Sequence, residues 1–364
     1  MRILAAAGGT AGHVNPMLAT ADQLIARGHE VIALGTAVGL EADLVPAAGL
    51  ELVTIDKVPL PRRPSLDLLR LPTRLARTVG TVRTLIRDRE IDAVLGFGGY
   101  VSAPAYLAAR QADIPVIIQE QNARPGIANR LGARWAKGVS LTFASTPLAA
   151  KHGMTRVTGL PLRAEISGLA ADRTDEARKR FRRERAAERF GLDPDDMIIV
   201  LTGGSSGAQQ LNRAFAGAAD VLTSRAQVLH VTGRGKEADA AGAAGDRYRV
   251  LDYVREMEEV YAMADLVVTR AGAGMVAELA ALAIPAVVVP LAIGNGEQYL
   301  NAKSAIDSGG FLHIANDAFT PDAVREQVVP LLDRQELDRR SAILRAAGVS
   351  DGAGAVADLV EGVL

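Results

Sequence analysis

The chain of 364 residues contains no cysteine. That excludes a disulfide framework, a thiolate metal site and a cysteine nucleophile together, and it suits a reducing cytoplasm. Charge of one sign is also missing: 41 basic against 42 acidic side chains leave a net charge of −1. There is no global pull toward nucleic acid, so any basic function must be local. Nowhere do about 18 apolar residues run together, and MRILAAAGGT lacks an h-region followed by a cleavage site. The expectation is neither a spanning helix nor a signal peptide. Aromatics make up 4%. No His-x-x-x-His pair occurs, and no glycine loop keeps G-x-G-x-x-G with an acid about twenty positions on. Metal hydrolysis and a nicotinamide cofactor have no visible support.

What is present is glycine, 36 residues of it, in a composition of 49% hydrophobic and 23% charged residues. This is the profile of a soluble globular α/β protein, and the length favours two domains. Apolar runs at 3–7, 31–34, 92–97 and 115–119 read as buried parallel strands, with helices between them. Asn15 reads as an N-cap with Pro16 at the first helical position, and Gly28 stops that helix. The pattern restarts at 197–202 and continues through 228–231, 265–269 and 286–290, predicting two doubly wound, Rossmann-like halves. The boundary falls around 158–163, where TGLPLR continues neither helix nor strand. The charged stretch 172–189 reads as a solvated helix face. Residues 351–364 predict a closing helix able to pack on either half.

Glycine loops follow several of these strands: GGTAGH at 8–13, GGY at 98–100, GGSSGA at 203–208 and AGAG at 271–274. The last stands in DLVVTRAGAGMVAE, a strand running into a glycine turn and a helix. Such a turn lets backbone approach a ligand closely, and the helix start aims N–H groups and a positive dipole end at an anion such as pyrophosphate. Glu278, one turn into that helix, is placed to accept hydrogen bonds from ribose hydroxyls. The same residues also fit a plain βα turn with a solvated first-turn acid. A glycine loop in each half suggests two ligands facing one another, as in a two-substrate transferase.

The segments GGTAGHVNP (8–16), GFGGYVSAP (96–104), EQNARPGIANR (120–130), GGSSGAQQLN (203–212), RAGAGMVAEL (270–279) and EQYLNA (297–302) resemble the successive motifs of the MurG family. These are the peptidoglycan glycosyltransferases that add N-acetylglucosamine to undecaprenyl-pyrophosphoryl-muramyl-pentapeptide. The resemblance implies an α/β GT-B fold, two doubly wound domains with an interdomain cleft. A first domain of 1–160 plus 348–364 would face acceptor and membrane, and a second of 161–347 would bind the donor. It implies UDP-N-acetylglucosamine (UDP-GlcNAc) as donor, the lipid-linked acceptor (lipid I), and an inverting transfer forming a β-1,4 bond without metal or other cofactor. Carried over residue by residue, Thr10, Ala11, Gly12, Asn122 and Arg163 would surround the donor sugar and phosphates. Ser205, Val254, Ala273, Gly274, Met275, Val276, Ala277, Glu278 and Gln298 would complete that site, and Tyr100, Asn129 and Asn301 would line the rest of the cleft. Without a metal, charge growing on the UDP leaving group must be met by preset N–H groups and a helix dipole.

Four departures from the family pattern stand out. Ala11 replaces a usual glycine, and alanine tolerates positive φ poorly. Gln119 stands where a histidine usually precedes Glu-Gln-Asn, so that histidine's role does not transfer. Met275 replaces a usual threonine, and Gly296-Glu297 replaces Asp-His or Asp-Arg. For the base that single displacement requires, the candidates are His13, whose ordinary pKa is near neutrality, and Glu120. Residues 59–90 carry eight arginines, among them Arg62, Arg63, Arg70 and Arg74, against three acids. Leu66, Leu68, Leu69 and Leu71 precede Pro72, which is expected to open a helix, so they read as a loop. Leucines ringed by arginine suit the anionic inner leaflet of a membrane and predict a peripheral protein on its cytoplasmic face; they also fit a loop covering the core. Other readings left open are a different GT-B enzyme, either a natural-product glycosyltransferase or a UDP-GlcNAc epimerase, and a UDP-sugar-binding module without turnover.

Overall fold

The computed structural model describes residues 1–57, 66–204, 207–291, 296–349 and 351–364, with backbone alone for 66–71. The chain divides into two compact units, Met1–Arg163 with Ser350–Leu364, and Ala164–Val349. The first is built on seven strands: β1 (Arg2–Ala6), β2 (Glu30–Gly35), β3 (Glu51–Thr54), β4 (Ala93–Gly96), β5 (Val116–Glu120), β6 (Gly138–Leu141) and β7 (Met154–Val157). All pair in parallel in the order β3-β2-β1-β4-β5-β6-β7. The second has β8 (Ile198–Thr202), β9 (Gln227–Val231), β10 (Tyr248–Leu251), β11 (Leu266–Thr269), β12 (Ala286–Val288) and β13 (Phe311–His313), in the parallel order β10-β9-β8-β11-β12-β13. The inner strands are buried at every position, as both-face coverage by helices demands.

Each sheet reverses its winding once, between β1 and β4 in the first unit and between β8 and β11 in the second. At such a point the loops leaving the two central strands diverge and open a crevice at the strands' carboxyl ends, where ligands of open α/β sheets bind. The glycine loops at 8–10, 98–99, 203–204 and 271–272 leave these same four strands.

The closing helix, Ala353–Val363, belongs to the first unit. Its Val356, Leu359 and Val360 are wholly buried beside Met17 and Leu24 of the helix Ala11–Ala26. Gly138 permits that approach, because a Cβ there would lie 3.2 Å from Leu359 Cγ. Arg27 joins the two helices through Asp358 at 2.7 Å and Glu361 at 2.8 Å.

The first helix does not begin at Asn15 and Pro16. It begins at Ala11, with Thr10 as the extended N-cap residue and Pro16 inside it. The helix Leu66–Asp88 likewise contains Pro72, so the backbone of 66–71 is helical and not a loop. In both helices the proline falls in the second turn, where it forfeits a single hydrogen bond to the residue four before it. That loss is small beside the packing of the whole helix. Ala11 has helical backbone, so the positive φ that alanine resists is not asked of it. Arg62, Arg63 and the side chains of Leu66, Leu68, Leu69, Arg70 and Leu71 lie outside the described residues; Arg74 is exposed.

The helix Glu176–Phe190 is not solvated all round. Ala186 and Ala187 are buried, and the Arg183 guanidinium reaches inward to the carbonyls of Pro194, Met263 and Asp196 and to Asp265 at 2.9 Å. Those partners cluster where β8 and β11 begin, so one charged side chain ties the helix to the central strands.

Candidate functional site

In the first unit the two glycine loops touch. Gly99 has φ +82°, and a Cβ on it would lie 2.4 Å from the Gly8 carbonyl oxygen, so only glycine fits. The N–H of Gly9 donates to Glu41 Oε2 at 2.9 Å, while Thr36 donates to Oε1 through both N–H (3.0 Å) and hydroxyl (2.6 Å). Burial pushes the Glu41 carboxyl up, but these donors outweigh it and hold its pKa below the usual range. An internal carboxylate thus occupies the anion position of the first loop. The helix that follows starts at Ala11 and Gly12 with no side-chain cap. Beside these loops lies a small cavity of about 80 Å³ walled by Gly8, Gly9, Lys57 and Tyr100, among others. Tyr100 is 40% exposed, with Lys57 Nζ 4.8 Å from its ring centroid.

His13 stands at the third position of that helix, with Nδ1 3.2 Å from Gln121 Oε1. Burial pulls its pKa below the ordinary value, against smaller upward pulls from Gln121, Glu41 and the Phe97 backbone. Glu120, at the end of β5, is 1% exposed. Its Oε1 accepts from the Asn122 N–H at 3.0 Å, and its Oε2 from the Gly126 N–H and Asn129 Nδ2, both at 2.9 Å. Burial raises its pKa against these bonds. Asn129 is itself buried, and its Oδ1 accepts from the Tyr106 hydroxyl at 2.8 Å. Glu120 and Asn129 therefore shape the loop 121–126. Gln119, fully buried, donates to Thr142 Oγ1 at 3.0 Å.

In the second unit, the helix Ala273–Ala281 starts directly from Gly272, which has no side chain to cap it. Neither Gly272 nor Gly274 has a positive φ, and a Cβ on either would meet nothing within 4 Å. The turn itself does not require glycine here; what glycine leaves is open space at the helix start, the property a bound phosphate needs. Glu278 is half-buried and accepts from the Tyr261 hydroxyl at 2.9 Å, and that hydroxyl also lies 3.0 Å from Met275 Sδ. Met275 thereby sets a thioether against Tyr261. Ala273, Val276 and Ala277 are buried, and Val254 is 9% exposed in the loop after β10. Gln298, in the first turn of the helix Glu297–Asp307, accepts from the Leu291 N–H at 2.8 Å. The amide carries a second oxygen lone pair and its Nε2 donors besides, the groups a sugar hydroxyl could meet. Asn301, buried, donates to the Ala271 carbonyl at 3.3 Å and so braces the glycine loop. Arg163 closes the first unit, and Ser205 lies outside the described residues.

Gln121 and Glu41 were missed in the sequence. Gln121 sits within the Glu-Gln-Asn triplet, so its motif was in view though its role was not. Glu41 carries no local signal, since its partners Gly9 and Thr36 meet it only in the fold.

Residues 3–141 match the model of the glycosyltransferase family 28 N-terminal domain, and residues 198–355 that of the family's C-terminal domain. A UDP-N-acetylglucosamine–N-acetylmuramyl-(pentapeptide) pyrophosphoryl-undecaprenol N-acetylglucosamine transferase of Clavibacter sepedonicus is 47% identical over 361 residues, covering 98% of this chain and 95% of that protein. The crystal structure of Acinetobacter baumannii MurG superposes with a TM-score of 0.78 at 28% identity, over 99% of each chain. A glycosyltransferase of kitacinnamycin, at 21% identity and a TM-score of 0.73 over 100% of this chain and 99% of its own, shares the fold alone.

Proposed function

The chain belongs to glycosyltransferase family 28, among the MurG N-acetylglucosamine transferases, and from that premise we propose how its residues divide the reaction. The reaction is transfer of N-acetylglucosamine from UDP-GlcNAc to the C4 hydroxyl of the muramyl-pentapeptide of lipid I, giving lipid II. The observation that carries this reading is 47% identity along 98% of the chain to a transferase of that specificity. The glycine loops on the central strands of both sheets support it.

The second unit holds the donor. The uncapped start of Ala273–Ala281 receives the diphosphate, and its N–H groups and dipole stabilise the charge that grows on UDP as the glycosidic bond breaks. Glu278 accepts from the ribose hydroxyls, and Gln298 donates its amide to the sugar. In the first unit, His13 takes the proton from the acceptor hydroxyl on the face opposite the leaving group. Glu120 does not serve: it is 1% exposed, and its oxygens are engaged in holding the loop 121–126.

The lipid-linked acceptor brings the protein to a membrane surface. None of the described helices is long and apolar enough to cross one. The segment 59–90, with its eight arginines and its leucines ahead of Pro72, is the contact with the anionic inner leaflet. Release of UDP from UDP-GlcNAc tests the function: it should require a short-chain lipid I analogue. Equal release without acceptor would make the protein a hydrolase, and conversion of the sugar nucleotide alone would make it an epimerase.

A further inference from the structure

We infer that Gln121 is a positioning residue for the acceptor base, fixing His13 as the Nδ1–H tautomer so that Nε2 carries the lone pair. The inference rests on the reading of His13 as base and goes one residue beyond it.

The logic is one of donors and acceptors. Gln121 lies 2.7 Å from the Phe97 carbonyl oxygen, which can only accept, so the group facing it is the amide NH₂. The amide oxygen of Gln121 is then the atom turned to His13 Nδ1 at 3.2 Å. An amide oxygen also can only accept, so in the neutral imidazole the hydrogen sits on Nδ1. The remaining nitrogen, Nε2, is a proton acceptor. Had the amide been free to turn over, both tautomers would be available; the Phe97 carbonyl forbids it.

The anchors are rigid. Phe97 is wholly buried, and its N–H donates to the Ala6 carbonyl at 2.8 Å. Gln121 is 1% exposed and follows β5, which pairs directly with β4. The orienting bond is therefore held by the ends of adjacent central strands, and it serves both protonation states. When Nε2 takes up a proton, Nδ1–H still donates to the same oxygen, so no group must reorganise.

Gln121 is also uncharged, which separates this pair from a histidine–carboxylate pair. Of the titratable groups around the ring, Glu41 comes from the helix Glu41–Ala47, and Glu120 lies one hydrogen bond beyond Asn129, whose Nδ2 is near Gly98 beside the imidazole. Neither bonds to Nδ1. A neutral partner leaves the imidazole unprotonated to lower pH than a carboxylate would, since an opposite charge favours the charged form.

The test uses the full chain, UDP release with a short-chain lipid I analogue, and three variants. Gln121→Met should lower kcat about tenfold or more through loss of the tautomer, with KM for UDP-GlcNAc unchanged within about twofold. Gln121→Glu should move the acid limb of the kcat/KM profile upward by about one pH unit, a shift that misfolding would not produce. His13→Ala should lower kcat by about a hundredfold or more. If Gln121→Met keeps kcat within about threefold, or the acid limb stays put in Gln121→Glu, while His13→Ala is crippled, Gln121 loses this role and His13 keeps its own. If His13→Ala itself keeps kcat within about threefold, the base assignment fails and the inference about Gln121 goes with it.

Discussion

A carboxylate that is 1% exposed and held on both oxygens by N–H donors is walled off from a substrate even though burial raises its pKa, whereas a histidine bonded through one nitrogen keeps the other for the substrate. Glu120 and His13 exemplify the two cases within one loop cluster. The distinction was not legible in the sequence, where both residues occur in glycine-flanked polar motifs. It depends on Gly126, Asn129, Gln121 and Phe97, which reach these side chains only through the βα winding. Glu278 was legible, because its place one turn into a helix after a glycine turn depends on local spacing alone. Its contact with the buried Tyr261 was not, since that residue lies on the preceding helix. At this scale we predict that Glu278→Ala weakens UDP binding by roughly 1 to 3 kcal/mol, the cost of a lost charged hydrogen bond. Titration calorimetry with UDP alone reads this, and an unchanged Kd would reject the ribose contact.

Among the elements, the strands were readable because parallel strands covered on both faces are unbroken apolar runs. Helix starts were less so. Pro16 and Pro72 each read as a first helical residue, yet both lie in the second turn. The sequence rule marks where proline costs nothing, and it does not mark where packing outweighs one lost bond. In the second unit β9, β10 and the helix Gln209–Ala216 are tied by the fully buried His230, which lies 2.8 Å from the Tyr248 hydroxyl and 3.1 Å from Asn212 Oδ1. Asn212 Nδ2 donates in turn to the Thr232 carbonyl at 3.0 Å. Burial drops the His230 pKa to about 4. The unfolded chain binds a proton below about pH 6.5 that the native state refuses until about pH 4. The neutral network therefore contributes its full stability above pH 6.5 and loses it as pH falls through that window, at up to about 1.4 kcal/mol per unit. Urea midpoints at pH 7.5 and 5 should drop further for the wild type than for His230→Gln. Equal drops would place the acid sensitivity elsewhere. For the segment 59–90, co-sedimentation with anionic vesicles should be strong at low salt, weaker at high salt, and largely lost when Leu66, Leu68, Leu69 and Leu71 become Ser. Binding that ignores the substitutions, or no binding by either protein, would remove this segment as the membrane contact.

For the molecule as a whole, the fold class followed from one pattern seen twice: strand, glycine loop, helix, restarting after residue 196. That repeat gives two sheets, each with its winding reversed between its two central strands, and the glycine loops leave those strands. The division of labour proposed above builds on it: the second unit's helix start would take the donor diphosphate, and His13 of the first unit the acceptor proton. A single displacement of this kind would need no metal to stabilise the leaving group and would invert the anomeric centre, because the acceptor attacks from the face opposite the leaving group. The direct measurement is proton NMR of the disaccharide product formed from UDP-GlcNAc and a short-chain lipid I analogue in excess EDTA. The expected result is undiminished turnover and a β-linked N-acetylglucosamine with the large anomeric coupling of a trans-diaxial pair. An α-linked product, or turnover abolished by EDTA and restored by a divalent cation, would contradict the mechanism.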